Sequence, residues 1–346
     1  MEAVRYYQES LMVCEKVGYS VGSARAKLSL GTIANNLGDF SRARELNQES
    51  LVISKNCNDQ EGIAFSLNNL GEVARLHGEY IRAKRLYQES LEVEQLRGNQ
   101  WGIAISYKNL ALVAKYLGQY EKAKQLYQQV FETEQRLGDR WALARTLQQM
   151  GDVACCLEKY EQATEFLQQS LAISKETKDQ WTRAMALITL GRLAYLKRQF
   201  RQAQRNLEES LVICKRIGRL VGVISSLAGL GTVAIELKEY QNGKELLNNA
   251  LDLAMKKQAT PLILEVLGEA GNLLARTDHK ELAEEVLAFV FCHKTSEERV
   301  KDRAKRLLSE INQAFSRAEL KKTAKKQKAK PLSGVVSQVL ECLDQL

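Results

Sequence analysis

Apolar positions along the chain recur in threes and fours. From Gln60 to His77 they fall at Ile63, Ala64, Leu67, Leu70, Val73, Ala74 and Leu76, the spacing of a helix with a broad buried face. Gly78 follows, where a left-handed residue would end that helix, and a second helical pattern opens at the aromatic Tyr80. Its end is marked by Gly98, with Asn99 in the N-cap column of the next helix. The unit is therefore a helix–turn–helix hairpin.

The hairpin repeats every 40 residues. One column reads Gly31, Gly71, Ala111, Gly151, Gly191, Gly231 and Gly271, and a second reads Phe40, Tyr80, Tyr120, Tyr160, Phe200 and Tyr240. Ala43, Ala83, Ala123, Ala163, Ala203, Gly243 and Ala283 form a third, and pairs such as Ser50-Leu51, Ser90-Leu91 and Ser210-Leu211 a fourth. Glycine inside a helix costs about 1 kcal/mol against alanine, so its recurrence at one mid-helix place implies close approach of a neighbouring helix. Helix ends carry Gly38, Gly78 and Gly118 after first helices and Gly18, Gly98, Gly138 and Gly218 after second ones, so the stops read as glycine-made. Asp59, Asp139 and Asp179 share the N-cap column with Asn99.

The period lays out the whole molecule. A half repeat occupies 1–18, and repeats start near 20, 60, 100, 140, 180, 220 and 260, giving an all-α solenoid over 1–292. A capping helix is expected over 293–320, a basic linker over 321–332 and a short amphipathic helix over 333–346, with Val335, Val336, Val339, Leu340 and Leu343 as its apolar stripe. Met1 falls at the place of Ser41, so the chain opens on the second helix of a unit. We read it as the C-terminal part of a longer protein.

Composition then narrows the class. The 346 residues are 45% hydrophobic with only two prolines, and no long apolar run or signal-peptide profile is present, which points to the cytoplasm and away from a membrane. The seven cysteines form no C-x-x-C pair, against a disulfide framework, and Cys155-Cys156 reads as a pair of small buried side chains. Of the net charge of +8, the stretch 317–330 alone supplies +6, so the basicity describes a tail. The run KKTAKKQKAK at 321–330 has no interleaved aromatic residue, and nucleic acid is an unfavoured partner.

Leu30-Gly31, Gly38, Phe40 and Ala43, with Leu70-Gly71, Gly78, Tyr80, Ala83 and Tyr87, resemble the tetratricopeptide (TPR) signature, here in a 40-residue form similar to that of bacterial MalT-like regulators and animal Pins-type adaptors. The resemblance implies a right-handed superhelix of antiparallel helix pairs. Residues 282–311 resemble the segment that closes many bacterial STAND-class NTPases after their repeats, which implies a sensor or partner-recognition region of a signalling protein. A freestanding adaptor bridging two proteins is the alternative. No G-x-x-x-x-G-K-[ST] motif occurs here.

In TPR proteins first helices line the concave face, which implies a protein or peptide ligand there. Register places Arg25, Leu28, Ser29, Thr32, Asn35 and Asn36 inward in the first full unit, then Asn68, Asn69, Glu72 and Arg75. Lys108, Asn109, Lys115 and Tyr116 follow, then Arg145, Gln148, Gln149 and Asp152, and finally Arg192 and Tyr195. Amides can pair with a peptide backbone, and Arg75, Lys108, Lys115 and Arg145 could hold carboxylates. Trp101, Trp141 and Trp181 share a column and are expected to fill the joints between units. The histidines 77, 279 and 293 lie at unrelated positions without metal spacing, and Glu72 and Asp152 stand two units apart, so neither a cofactor, a metal nor a catalytic site is expected.

Overall fold

The computed structural model describes residues 2–311 and 330–345, with the side chain of Asn36 also outside the description. The greater part of the basic run at 321–330 therefore lies outside the described residues, as does the end of the expected capping helix. Among those described, every regular element is a helix. A lone helix α1 (Glu2–Lys16) is followed by seven hairpins: α2 (Ser20–Leu37) with α3 (Phe40–Asn56), α4 (Gln60–Leu76) with α5 (Tyr80–Leu96), α6 (Gln100–Tyr116) with α7 (Tyr120–Leu137), α8 (Arg140–Cys156) with α9 (Tyr160–Glu176), α10 (Gln180–Leu196) with α11 (Phe200–Arg216), α12 (Leu220–Glu236) with α13 (Tyr240–Lys256), and α14 (Thr260–Arg276) with α15 (Lys280–Cys292). Consecutive helices pack on one another throughout, and α16 (Glu298–Ile311) continues the series against α14 and α15. Helix α17 (Leu332–Gln345) buries Val335, Val336, Val339 and Leu343 against α13, α14 and α15.

The small-residue columns are where hairpins close. A Cβ built on Gly71 would stand 2.5 Å from the Tyr87 ring, and one on Gly151, 2.6 Å from Leu167. Ala123, Ala163 and Ala203 are completely buried opposite them. The serine column makes polar ties, in which Ser50, Ser90, Ser170 and Ser210 donate to the backbone carbonyls of Ala24, Ala64, Ala144 and Ala184 respectively, at 2.8–3.0 Å. These hydroxyls join α3, α5, α9 and α11 to the first helices of their own hairpins and are themselves satisfied.

Two expectations about helix ends need correction. Asp59, Asp139 and Asp179 cap as expected, accepting from the amides of Gly62, Ala142 and Thr182, but Asn99 makes no cap bond, and its side-chain nitrogen donates to Glu94 at 2.9 Å. Nor are the stops made by glycine alone. Asn58, Glu158, Lys178, Arg198, Lys238, Gln258 and Asp278 hold the same left-handed turn conformation, with φ between 52° and 63°. Each carries a strain of roughly 1 kcal/mol that a glycine would not.

Candidate functional site

The concave face divides into two parts with different chemistry. In its middle the first helices present charged groups that engage one another. Arg75 binds Glu72 through Nε at 2.8 Å and donates to the Tyr116 hydroxyl at 3.2 Å, while Tyr87 donates to the same carboxylate at 3.3 Å. One and two units further on, Lys115 meets Asp152 at 2.5 Å and Arg192 binds the other oxygen of that carboxylate. Burial alone would raise Asp152, yet Arg192 and Lys115 together hold its carboxyl well below the usual range. Burial would lower Lys115, and Asp152 with the nearby tyrosines raises it instead. Three consecutive first helices, α6, α8 and α10, are thus joined at one carboxylate.

The segment after α15 completes this interior. Arg303 donates to the Tyr195 hydroxyl at 2.9 Å and pairs with Glu269, and Tyr195 donates to Glu236 at 3.1 Å. Arg299 binds Glu265 at 2.6 Å. Glu297 sits in the same space, where burial raises its carboxyl in spite of Arg299. These side chains retain 15–31% exposure, so they form a half-buried polar cluster and not a dry core. The role of α16 in this cluster could not be read from its sequence, because its apolar stripe, Val300, Ala304, Leu307 and Leu308, signals only packing.

The amides expected to meet a ligand are already engaged. Asn69 donates to Thr32 and Asn47 at 3.1 and 3.2 Å, Asn109 donates to Asn68 at 3.1 Å, and Asn68 donates to Ser90 at 2.6 Å. Gln148 donates to Thr189 at 3.0 Å and accepts from Gln149 at 2.8 Å. Asn69, Asn109 and Gln148 thus act as clasps between units. Lys108 turns toward α7, where it holds the buried Glu134 at 2.7 Å, so it is withdrawn from the concave face.

The other part, toward the N-terminal ends of the first helices, is open. Arg25, Leu28, Ser29, Thr32, Glu61, Gly62, Phe65 and Asn69 line a shallow depression of about 340 Å³. Arg25 pairs there with Glu61 at 3.1 Å, which shows that the place of residue 25 in one unit adjoins that of residue 61 in the next. The equivalent pairs are Phe65 with Trp101, Ile105 with Trp141 and Arg145 with Trp181. Phe65, Trp101 and Trp141 are 37%, 50% and 48% exposed, so only Trp181, packed against the core, fills a joint as expected. The Arg145 guanidinium lies 4.8 Å from the Trp141 ring and has no ion-pair partner among the described residues. An aromatic ridge carrying one uncommitted cation therefore runs along this edge.

The adjacent cysteines are poorly placed for chemistry. Burial pushes the Cys155 thiol up to about 11, which leaves it a poor nucleophile, and Cys156 is raised for the same reason. No described helix is long and apolar enough to cross a membrane.

Comparison with known proteins agrees with the architecture. The chain resembles the apo form of RapI (14% identity, TM-score 0.60, covering 75% of this chain and 99% of that one) and a Rap protein in complex with competence and sporulation factor (11%, 0.58, 94% and 100%). It also resembles a signal transduction ATPase with numerous domains from Pyrococcus horikoshii that carries a tetratricopeptide repeat sensor (14%, TM-score 0.53), covering 99% of this chain and 55% of that longer one. At these identities the likeness concerns the fold, and no curated protein matches by sequence. The tetratricopeptide repeat profile matches residues 24–95, 62–136, 102–176 and 142–216, windows that overlap so that each unit is read together with its neighbour. With more than half of its length matched and the column residues packed as described, the chain belongs to the tetratricopeptide repeat family.

Proposed function

We propose that the array binds a protein or peptide along the open edge of its concave face, as the sensor or partner-recognition part of a bacterial signalling protein in the cytoplasm, without catalysis of its own. The observation that supports this is the ridge of Phe65, Trp101 and Trp141, half-exposed in three successive units, with Arg145 beside them. Large aromatic side chains and arginine are the residue types that dominate binding energy when a partner covers them. Arg145 would take a carboxylate of the partner, and the aromatic rings its apolar side chains. The neighbours agree in kind, since one is a Rap protein complexed with a factor and another bears its repeats as a sensor.

The test is selection of a randomised displayed peptide library on the full chain, followed by titration of the enriched peptides against a Trp101→Ala, Trp141→Ala, Arg145→Ala variant. The expected result is enrichment of peptides with apolar and acidic residues, and a loss of affinity of about tenfold or more in the variant at unchanged melting temperature. Failure to enrich any peptide, or equal affinity for the variant, would overturn the reading.

A further inference from the structure

The glycines that end the first helices hold more information than the turn requires. Gly38, Gly78 and Gly118 have φ of 89°, 73° and 73°, and in later units the same turn is made by Glu158, Arg198, Lys238 and Asp278 with φ of 58–63°. The turn itself therefore accepts a side chain. What separates the two sets is their surroundings. A Cβ on Gly38 would lie 3.3 Å from Lys257, one on Gly78 2.3 Å from Thr295 Cβ and 3.0 Å from its Cα, and one on Gly118 2.8 Å from Glu298. By contrast Gly18, Gly98, Gly138 and Gly218, which end second helices in the same conformation, have nothing within 4 Å.

Glycine thus stands at the turns where distant parts of the array meet. Tyr80, just beyond Gly78, donates to the Thr295 carbonyl at 3.2 Å across 215 residues of sequence, and Thr295 is buried there. Lys257 lies over the Phe40 ring, 5.7 Å from its centre. The contacts are few and mostly between turns, while the half-buried polar cluster of Lys115, Asp152 and Arg192 sits on first helices of the units in between.

We propose that these turns form a seam, which closes the solenoid on itself and controls solvent access to the polar cluster around Asp152. Closure by small turn-to-turn contacts, in place of a broad apolar interface, suits a joint that opens without unfolding the repeats on either side. The seam stands independently of the binding role proposed above; only its use as a gate for a partner rests on that reading.

Glycine positions with equal φ supply the control. Gly78→Glu and Gly118→Glu place at the seam the residue that the fourth unit already carries at position 158, whereas Gly98→Glu and Gly138→Glu impose the same backbone strain in open space. Small-angle scattering should show a larger radius of gyration for the seam variants than for the controls, at equal helicity by circular dichroism. Alkylation of Cys156 by iodoacetamide, followed by mass spectrometry of its peptide, reads access to the cluster, since Cys156 follows Asp152 by one turn on the same face of α8. It should be several-fold faster in the seam variants. Should those variants lose helicity, the oxidised Gly118→Cys, Glu298→Cys pair serves instead, expected to slow Cys156 alkylation below wild type and to restore the wild-type rate on reduction. Scattering and alkylation equal to the controls, or a locked pair that alkylates as fast as wild type, would refute the seam, whereas a confirmed seam with no peptide enriched would refute the binding role alone.

Discussion

Asp152→Asn removes one charge from the carboxylate at which three units meet, and its cost can be worked from the geometry. The side chain sits between Lys115 at 2.5 Å and Arg192, and Arg192 also donates to the Asp152 backbone carbonyl at 3.3 Å. Breaking a buried pair by deleting one partner costs about 3–5 kcal/mol, because the remaining charge is stranded. Lys115 and Arg192 keep 11% and 25% of their side-chain surface open, so water recovers part of that loss and about 2–3 kcal/mol is expected. Linkage fixes the pH dependence. The Asp152 carboxyl is lowered in the folded state, so its contribution is complete above the unfolded value of about 3.9 and is lost as pH falls toward the lower folded value. Urea titrations followed by circular dichroism should therefore show a wide gap between wild type and variant at neutral pH, narrowing in acid. Adding Lys115→Met to the variant should return part of the stability, since one of the stranded cations is gone. A gap that is absent at neutral pH, or that is the same in acid, would refute the account. Because stability in a solenoid is a sum over neighbouring units, the variant can also split a single transition into two.

Three further outcomes follow from packing and charge. Ala123→Leu forces a larger side chain into a completely buried position facing the small-residue column and should cost about 1–3 kcal/mol, read as a lowered thermal midpoint. Lys238→Gly relieves a left-handed residue at a helix-ending turn and should stabilise by roughly 0.5–1 kcal/mol, with an unchanged midpoint counting against strain there. Glu297→Gln should raise the midpoint at neutral pH: a carboxyl raised by burial destabilises the fold as pH climbs above its unfolded value, and the advantage should vanish near the acid end of the carboxylate range, where wild type is protonated as well.

Which features could be read from the sequence follows from the range of the interactions behind them. The period, the hairpin and the small-residue columns depend on neighbours within one or two units, and each leaves the same residue at the same offset, as Gly71 facing Tyr87 and Gly151 facing Leu167 do. Burial of the Ser50 column has the same origin, with one hydroxyl meeting one carbonyl 26 residues back in every case. Local signals misled where a longer-range partner orients a side chain. Asn99 has the right residue type for a cap, but its side-chain nitrogen is held by Glu94, five residues back, and its oxygen makes no cap bond. At Glu158, Lys238 and Asp278 the helix-ending turn is left-handed all the same, and each of these side chains is exposed, so the turn there does not depend on glycine.

Which helices carry the candidate residues was legible, and what those residues meet was not. Register brought Asn69, Glu72, Arg75, Lys115, Asp152 and Arg192 onto first helices, where they stand, but periodicity says nothing of how the superhelix curves, and curvature decides what the far end meets. Arg303 reaches Tyr195 across 108 residues, and no repeat offset encodes that contact. The same curvature explains why polar residues in the middle units pair among themselves. A lone charge in that cluster would lose solvent and gain nothing, so its cations meet carboxylates, as Lys115 and Arg192 both do at Asp152. Where the face stays open, at Trp101 and Trp141, no such penalty operates, and Arg145 can remain without an anion partner among the described residues. Pairing within the polar cluster and exposure of the aromatic ridge thus go with what the segment after α15 reaches: Arg303 meets Tyr195, whereas Trp101 and Trp141 stay about half-exposed.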